Sequence, residues 1–208
     1  MKDFIQHIVK ENLTQIAADS YFNYGVRGLH MIKLVDTPTK GLRLFIAESN
    51  NMMQHSMPLH YSNGITYPFQ HYQRNFKTKC IQGYVSVWTV EESNDQIALL
   101  TNEYKLTENE DGDYVYVMNR QHVGLQTKTV YNLQPGQTVN LSGNALYNFG
   151  TRFGAQSAWF VYEGRENKTD YVFYTNKDNL TADDGFPGMY SKVTAKDVVA
   201  LLSSVGLI

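Results

Sequence analysis

The 208-residue sequence is short of several things, and each shortage closes off a class of protein. Cys80 is the only cysteine, so neither an intrachain disulfide nor a cluster of thiolate metal ligands can form, and a reducing compartment is expected. No run approaches the roughly 20 apolar residues of a membrane-spanning helix. The N-terminus, MKDFIQHIVKEN, is charged and amphipathic where a secretory leader is continuously apolar, so the expected location is cytoplasmic. Asn-x-Ser/Thr triplets at Asn12, Asn140, Asn167 and Asn179 carry no weight in that setting. Cationic excess is also lacking, with 18 Lys and Arg against 20 Asp and Glu. A partner bound through phosphates therefore finds no general attraction, which argues against nucleic acid and against an anionic membrane surface. Charged residues make up only 18% and hydrophobic residues 42%, a balance that buries a core and does not suit a disordered chain.

What is present reads as helix, strands, helix within a single domain over 1–208. Phe4, Ile5, Ile8, Val9, Leu13 and Ile16 recur at helical spacing, predicting an amphipathic N-terminal helix within 1–20 that packs outside the strands. GLHMIKLV and LRLFIAE are short apolar runs divided by the turn chemistry of Asp36 to Gly41, a hairpin signal. KCIQGYVSVWTV, QIALLTNEY, YVYVMN, TKTVYNL, QTVNL, NALYNF, SAWFVYEG and DYVFYT follow as further strands, with turns at Glu110–Asp113 and Gln134–Gln137. So many strands at short spacing predict a sandwich or barrel over 28–174. Thr194 and Asp197 form a capping-box pattern ahead of Val198, Val199, Leu201, Leu202 and Val205, predicting a closing helix over 194–206. The stretch Ser49 to Gln70 has no periodicity, and loops of that length are commonly functional, so it is expected to form a lid.

From Gly64 the sequence resembles the first cupin motif, in which a glycine precedes a His-x-His pair, a carboxylate and a second glycine. Gly64, His71 and Gly83 fill the two glycines and the first histidine, but Gln73 stands for the second histidine and Phe76 or Lys77 for the carboxylate. The segment from Gln134 to Gly150 resembles the second motif, whose histidine falls at or beside Tyr147, with Leu146 and Asn148 as neighbouring registers. The resemblance implies a mainly β fold, a cupin-like double-stranded β-helix or jelly-roll barrel with an N-terminal and a C-terminal helix. It also implies that the divalent metal site such barrels usually carry is broken here, so no cofactor is expected. Gln73 is a poor ligand, and an inward Lys77 would set a cation where the metal's charge belongs.

The leading expectation is a barrel that binds a small polar or anionic molecule without metal, through Gln73, Lys77, His60, Arg152 and Trp159. A metal-free isomerase or epimerase would use His71 and Tyr147 as its acid–base pair, as the resemblance to sugar-nucleotide epimerases implies. A non-heme iron dioxygenase would draw a displaced ligand set from His55, His60, His71 and His122. A structural role with a homodimer through the terminal helices is the remaining reading. Cys80, inside an apolar strand, is read as an inert thiol, and Trp88 as core or pocket wall.

Overall fold

The computed structural model describes residues 1–24, 27–51, 69–71, 75–108, 114–142, 146–152, 154–164, 172–175 and 190–208. In chain order they form α1 (Lys2–Ala18), β1 (Tyr21–Phe22), β2 (Leu29–Thr37), β3 (Lys40–Ala47), β4 (Phe69–His71), β5 (Phe76–Gln82), β6 (Val85–Glu92), β7 (Leu99–Glu108), β8 (Tyr114–Leu133), β9 (Thr138–Leu141), β10 (Leu146–Thr151), β11 (Ser157–Glu163), β12 (Val172–Thr175), β13 (Ser191–Lys192) and α2 (Ala195–Ser204). All strand pairs are antiparallel.

Strand order identifies the architecture. One sheet runs β13-β1-β2-β3-β11-β5-β9, and the other runs β10-β4-β12-β7-β8-β6 and closes on itself through β6 and β10. Taking β3, β4, β5, β6, β8, β9, β10 and β11 as first to eighth, the first sheet holds the order first, eighth, third, sixth. The second holds second, seventh, fourth and fifth as neighbours. That is the winding of a double-sheet jelly roll. The fold is mainly β with a helix at either end, as the sequence implies.

β3 and β11 lie at the centre of the first sheet and are buried on both faces, which is why LRLFIA and SAWFV read as continuous apolar runs. Leu42, Leu44, Ile46, Ala158 and Phe160 point to one side, where Ile5, Val9, Ile16, Val198 and Leu202 of the two helices cover them. Phe45, Ala47, Trp159 and Val161 point to the other side, into the jelly roll. The predicted stripe of α1 is narrower than expected, because Phe4 is 53% exposed while Ile5, Val9 and Ile16 are buried. The capping box of α2 is present, with the Thr194 side chain accepting from the Asp197 amide and the Asp197 carboxylate accepting from the Thr194 amide. Val198 and Leu202, four apart, are fully buried, and Val199 turns outward.

Two strand boundaries and one sheet closure differ from the sequence reading. KCIQGYVSVWTV is two strands in different sheets, β5 and β6, separated by Gly83 at φ +68°. YVYVMN and TKTVYNL are instead one 20-residue strand, β8, that carries His122 at φ +54° and serves β7 with its first half and β6 with its second. The third difference is a second barrel. β12 joins β4 to β7, and the closed sheet thereby encloses its own core of Val90, Leu125, Leu146 and Tyr174, with Leu99, Val123 and Val172 against it.

Gly83 is where the chain steps from one sheet to the other, and a Cβ there would meet the Gln156 carbonyl oxygen at 2.3 Å. Both the positive φ and that backbone contact bar a side chain. Gly83→Ala is expected to lower stability by about 2 kcal/mol or more in urea denaturation. A variant with unchanged stability would contradict this account of the crossing.

Candidate functional site

The interior between the sheets is laid out by register. On the first sheet Arg43, Val161, Thr78 and Val139 lie side by side across β3, β11, β5 and β9. The next row inward is Gly41, Glu163, Phe76 and Leu141, and the row on the other side carries Phe45, Trp159 and Cys80. Directly opposed residues share a face, so these rows point together into the jelly roll.

Gly41 makes the room in which Glu163 sits, because a Cβ at Gly41 would lie 2.5 Å from the Glu163 Oε2 atom. Arg43 Nε donates to Glu163 Oε1 at 3.0 Å, and the Glu163 side chain is 1% exposed. From the second sheet Tyr147 closes over them, its ring 4.5 Å from that of Phe76. Burial, then the nearby charge of Glu163 and the neighbouring Tyr24, push the Tyr147 hydroxyl above the usual phenol range, against an opposing effect of Arg43. Tyr147 is therefore protonated at neutral pH, a donor and not a base.

Aromatic rings wall the rest. Phe45 stacks on Trp159 at 5.5 Å, Phe149 lies 5.5 Å from Trp159 and 5.4 Å from Tyr147, and Tyr24 caps Phe45 at 5.8 Å. Within this apolar surround two polar atoms stand out. Thr78 Oγ1 and Trp159 Nε1 are buried and have no hydrogen-bond partner among the described residues. Both residues are 0% exposed. Buried polar groups are almost always bonded, so each such group calls for an explanation.

The residues singled out by sequence fall unevenly around this interior. Trp159 and Tyr147 are brought into it together. Lys77 is on the exposed side of β5, between inward Phe76 and Thr78, so Phe76 and not Lys77 takes the carboxylate position. Arg152 is a rim residue, exposed, with its guanidinium 4.7 Å over the Tyr84 ring. It lies at the Ser157 end of β11, six residues or about 20 Å from Glu163. Register pairs Tyr147 with Gln70 and Leu146 with His71, so the positions of His71 and Tyr147 are on opposite faces of the second sheet. The side chain of His71 lies outside the described residues. His122 is exposed on β8. His55, His60, Gln73 and most of the Ser49 to Gln70 lid fall outside the described residues. Cys80 is fully buried, and burial pushes its thiol up, in keeping with an inert role. Trp88 is likewise buried.

A divalent metal at the position usual for cupins does not fit these residues. Two of the positions that would bear ligands are Phe76 and Tyr147, in ring contact, and no group of three His, Cys, Asp or Glu side chains converges among the described residues.

Sequence reasoning missed Arg43, Thr78 and Glu163. Counting by twos inward from Trp159 reaches Glu163, and a glycine on the facing strand was the accompanying signal. It also missed a network in the second barrel. Glu103, 4% exposed, accepts from Arg120 Nε at 2.9 Å, from the Tyr174 hydroxyl at 2.6 Å and from Asn119. Arg120 Nη1 also donates to Glu92 at 3.0 Å. Burial alone would raise the Glu103 carboxyl, but the hydrogen bonds from Arg120, Tyr174 and Asn119 outweigh it and hold the group at about 2.

No family model matches the chain, and no curated protein matches it. Among solved structures, a cupin-2 domain protein of Rhodospirillum rubrum is 9% identical, with 70% of this chain and 66% of that one covered and a TM-score of 0.37. The polyketide cyclase RemF of Streptomyces resistomycificus is 12% identical over 80% and 85% of the two chains, with a TM-score of 0.37. A hydroquinone 1,2-dioxygenase of a Sphingomonas species is 12% identical over 75% and 74%, with a TM-score of 0.38. No helix among the described residues is long and apolar enough to cross a membrane.

The Glu103 network sets an acid limit on stability. Its folded value, about 2, lies below the ordinary 4.5, so its contribution is full above 4.5 and is lost as pH falls toward 2. The loss is on the order of 3 kcal/mol. Glu103→Gln should be destabilised at neutral pH and show a flatter decline over that window in denaturation at stepped pH. An acid limb identical to that of the parent protein would contradict the assignment. Strand order and winding, rather than any superposition, make this chain a jelly roll that carries a second closed barrel.

Proposed function

We propose that the protein binds a small polar molecule inside the jelly roll, at the Arg43–Glu163 end, without a metal. The observation that carries this is the pair of wholly buried, unpartnered polar atoms, Thr78 Oγ1 and Trp159 Nε1. An unmet buried hydrogen bond costs about 1–3 kcal/mol, a penalty a ligand's own polar atoms would remove. The buried Glu163 carboxylate, paired with half-buried Arg43, supports the same reading, since desolvating a carboxylate makes its ion pair a weaker source of stability than an apolar pair of the same volume. The ring walls restrict the occupant to a small one. Gln73 and His60 remain candidate contacts, with Arg152 as a rim contact at the far end.

An unpartnered hydroxyl has a consequence that can be measured without knowing the ligand. Thr78→Val keeps the shape and deletes the orphan, so the ligand-free variant should gain about 1 kcal/mol of stability. The same variant should retain less of any molecule that native mass spectrometry finds on freshly purified protein. A Thr78→Val protein that is less stable than the parent would mean that the hydroxyl is already satisfied, and the proposal would fall.

A further inference from the structure

We infer that Tyr190, with Tyr24 beneath it, is the gate through which a small molecule reaches Trp159 in the jelly roll. The inference rests on the binding reading above and adds its point of entry. Four rings lie in contact from solvent inward. Tyr190 is 5.4 Å from Tyr24, Tyr24 is 5.8 Å from Phe45, and Phe45 stacks on Trp159 at 5.5 Å. Burial deepens along that line, from Tyr190 at 50% exposed through half-buried Tyr24 to Phe45 at 9% and Trp159 at 0%. The line ends on the indole whose Nε1 has no hydrogen-bond partner.

The outermost ring is held against its own backbone preference. Tyr190 has φ +53°, in the left-handed region that a bulky side chain rarely adopts. Its amide donates at 3.2 Å to the carbonyl of Asn23, which is itself at φ +50°. Asparagine suits that conformation, and Asn23 is fixed from two sides. Its Oδ1 accepts from the Gly28 amide at 2.9 Å, and its own amide donates to His30 Nδ1 at 3.4 Å. Tyr190 immediately precedes β13, a strand of two residues at one end of the first sheet. Lys192 ties that strand down, donating to the Ala18 carbonyl at 2.6 Å and to the Tyr21 hydroxyl at 2.7 Å. Outward movement is therefore confined to Tyr190. It gives up the Asn23 hydrogen bond and the edge-on contacts with Tyr24 and Tyr21, and it releases the left-handed φ, so loss and gain partly offset.

Hydrogen exchange at the Trp159 indole N–H, followed by NMR, tests this directly. That proton has no hydrogen bond to break, so its exchange reports the access of water. Trp88, 2% exposed in the other sheet, is the internal reference, and Trp88→Phe assigns the two indole signals. Tyr190→Gly removes the ring and suits a positive φ. It should speed exchange at Trp159 about ten-fold, the worth of a lost ring contact, and leave Trp88 and the urea midpoint with the parent protein. Tyr190→Phe keeps the ring and should exchange at the parent rate. Unchanged exchange at Trp159 in Tyr190→Gly would overturn the gate, and so would a rise shared equally by Trp88, which reports general loosening. The binding reading stands or falls separately on Thr78→Val. Unchanged exchange with a stabilised Thr78→Val protein would remove the gate alone, whereas faster exchange with a Thr78→Val protein that gains no stability would remove the ligand and leave only an opening at Tyr190.

Discussion

A strand buried on both faces has to satisfy two cores at once, and β3 and β11 impose that condition on the whole molecule. Their even-numbered side chains, Leu42, Leu44, Ile46, Ala158 and Phe160, need a cover, which the two terminal helices provide. Their odd-numbered side chains need the second sheet. Because the side-chain period of a strand is two, shifting either strand by one residue would exchange the two sets. Arg43 and Glu163 would then be carried from the jelly-roll interior to the helix side, and the site depends on that register as fully as the cores do.

Two carboxylates are buried among the described residues, and their surroundings differ. Glu103 in the second barrel is bonded by Arg120, Tyr174 and Asn119, so its charge is well met and its role is cohesion between β7, β8 and β12. Glu163 in the jelly roll is accommodated by a missing side chain at Gly41, and it lies beside a row that leaves a threonine hydroxyl and an indole N–H without protein partners. A satisfied network is what a structural element needs. The Thr78 hydroxyl and the Trp159 indole N–H, unmet by the described residues in a ring-lined interior, are what the proposed binding reading rests on.

Much of the fold was legible from local chemistry. The β2–β3 hairpin, the Gln134–Gln137 turn and the Thr194–Asp197 capping box are decided within a few residues, and the structure has all three. The second barrel was not legible, because it depends on β12 pairing with β7 some seventy positions away, and no local pattern encodes that closure. The step at Gly83 was hidden inside an apolar run whose two halves go to different sheets. In the site, Trp159 was anticipated but Thr78 and Glu163 were not. Where both faces of a strand are buried, apolar alternation no longer says which residues face which core, and the carboxylate position stayed open between Phe76 and Lys77 for that reason.

A high-resolution crystal structure of protein purified without added ligand or metal tests the central claim most directly. The account predicts ordered non-protein density within about 3 Å of both Thr78 Oγ1 and Trp159 Nε1. Protein atoms filling that space and bonding both groups, with no room for a ligand beside Glu163, would contradict it.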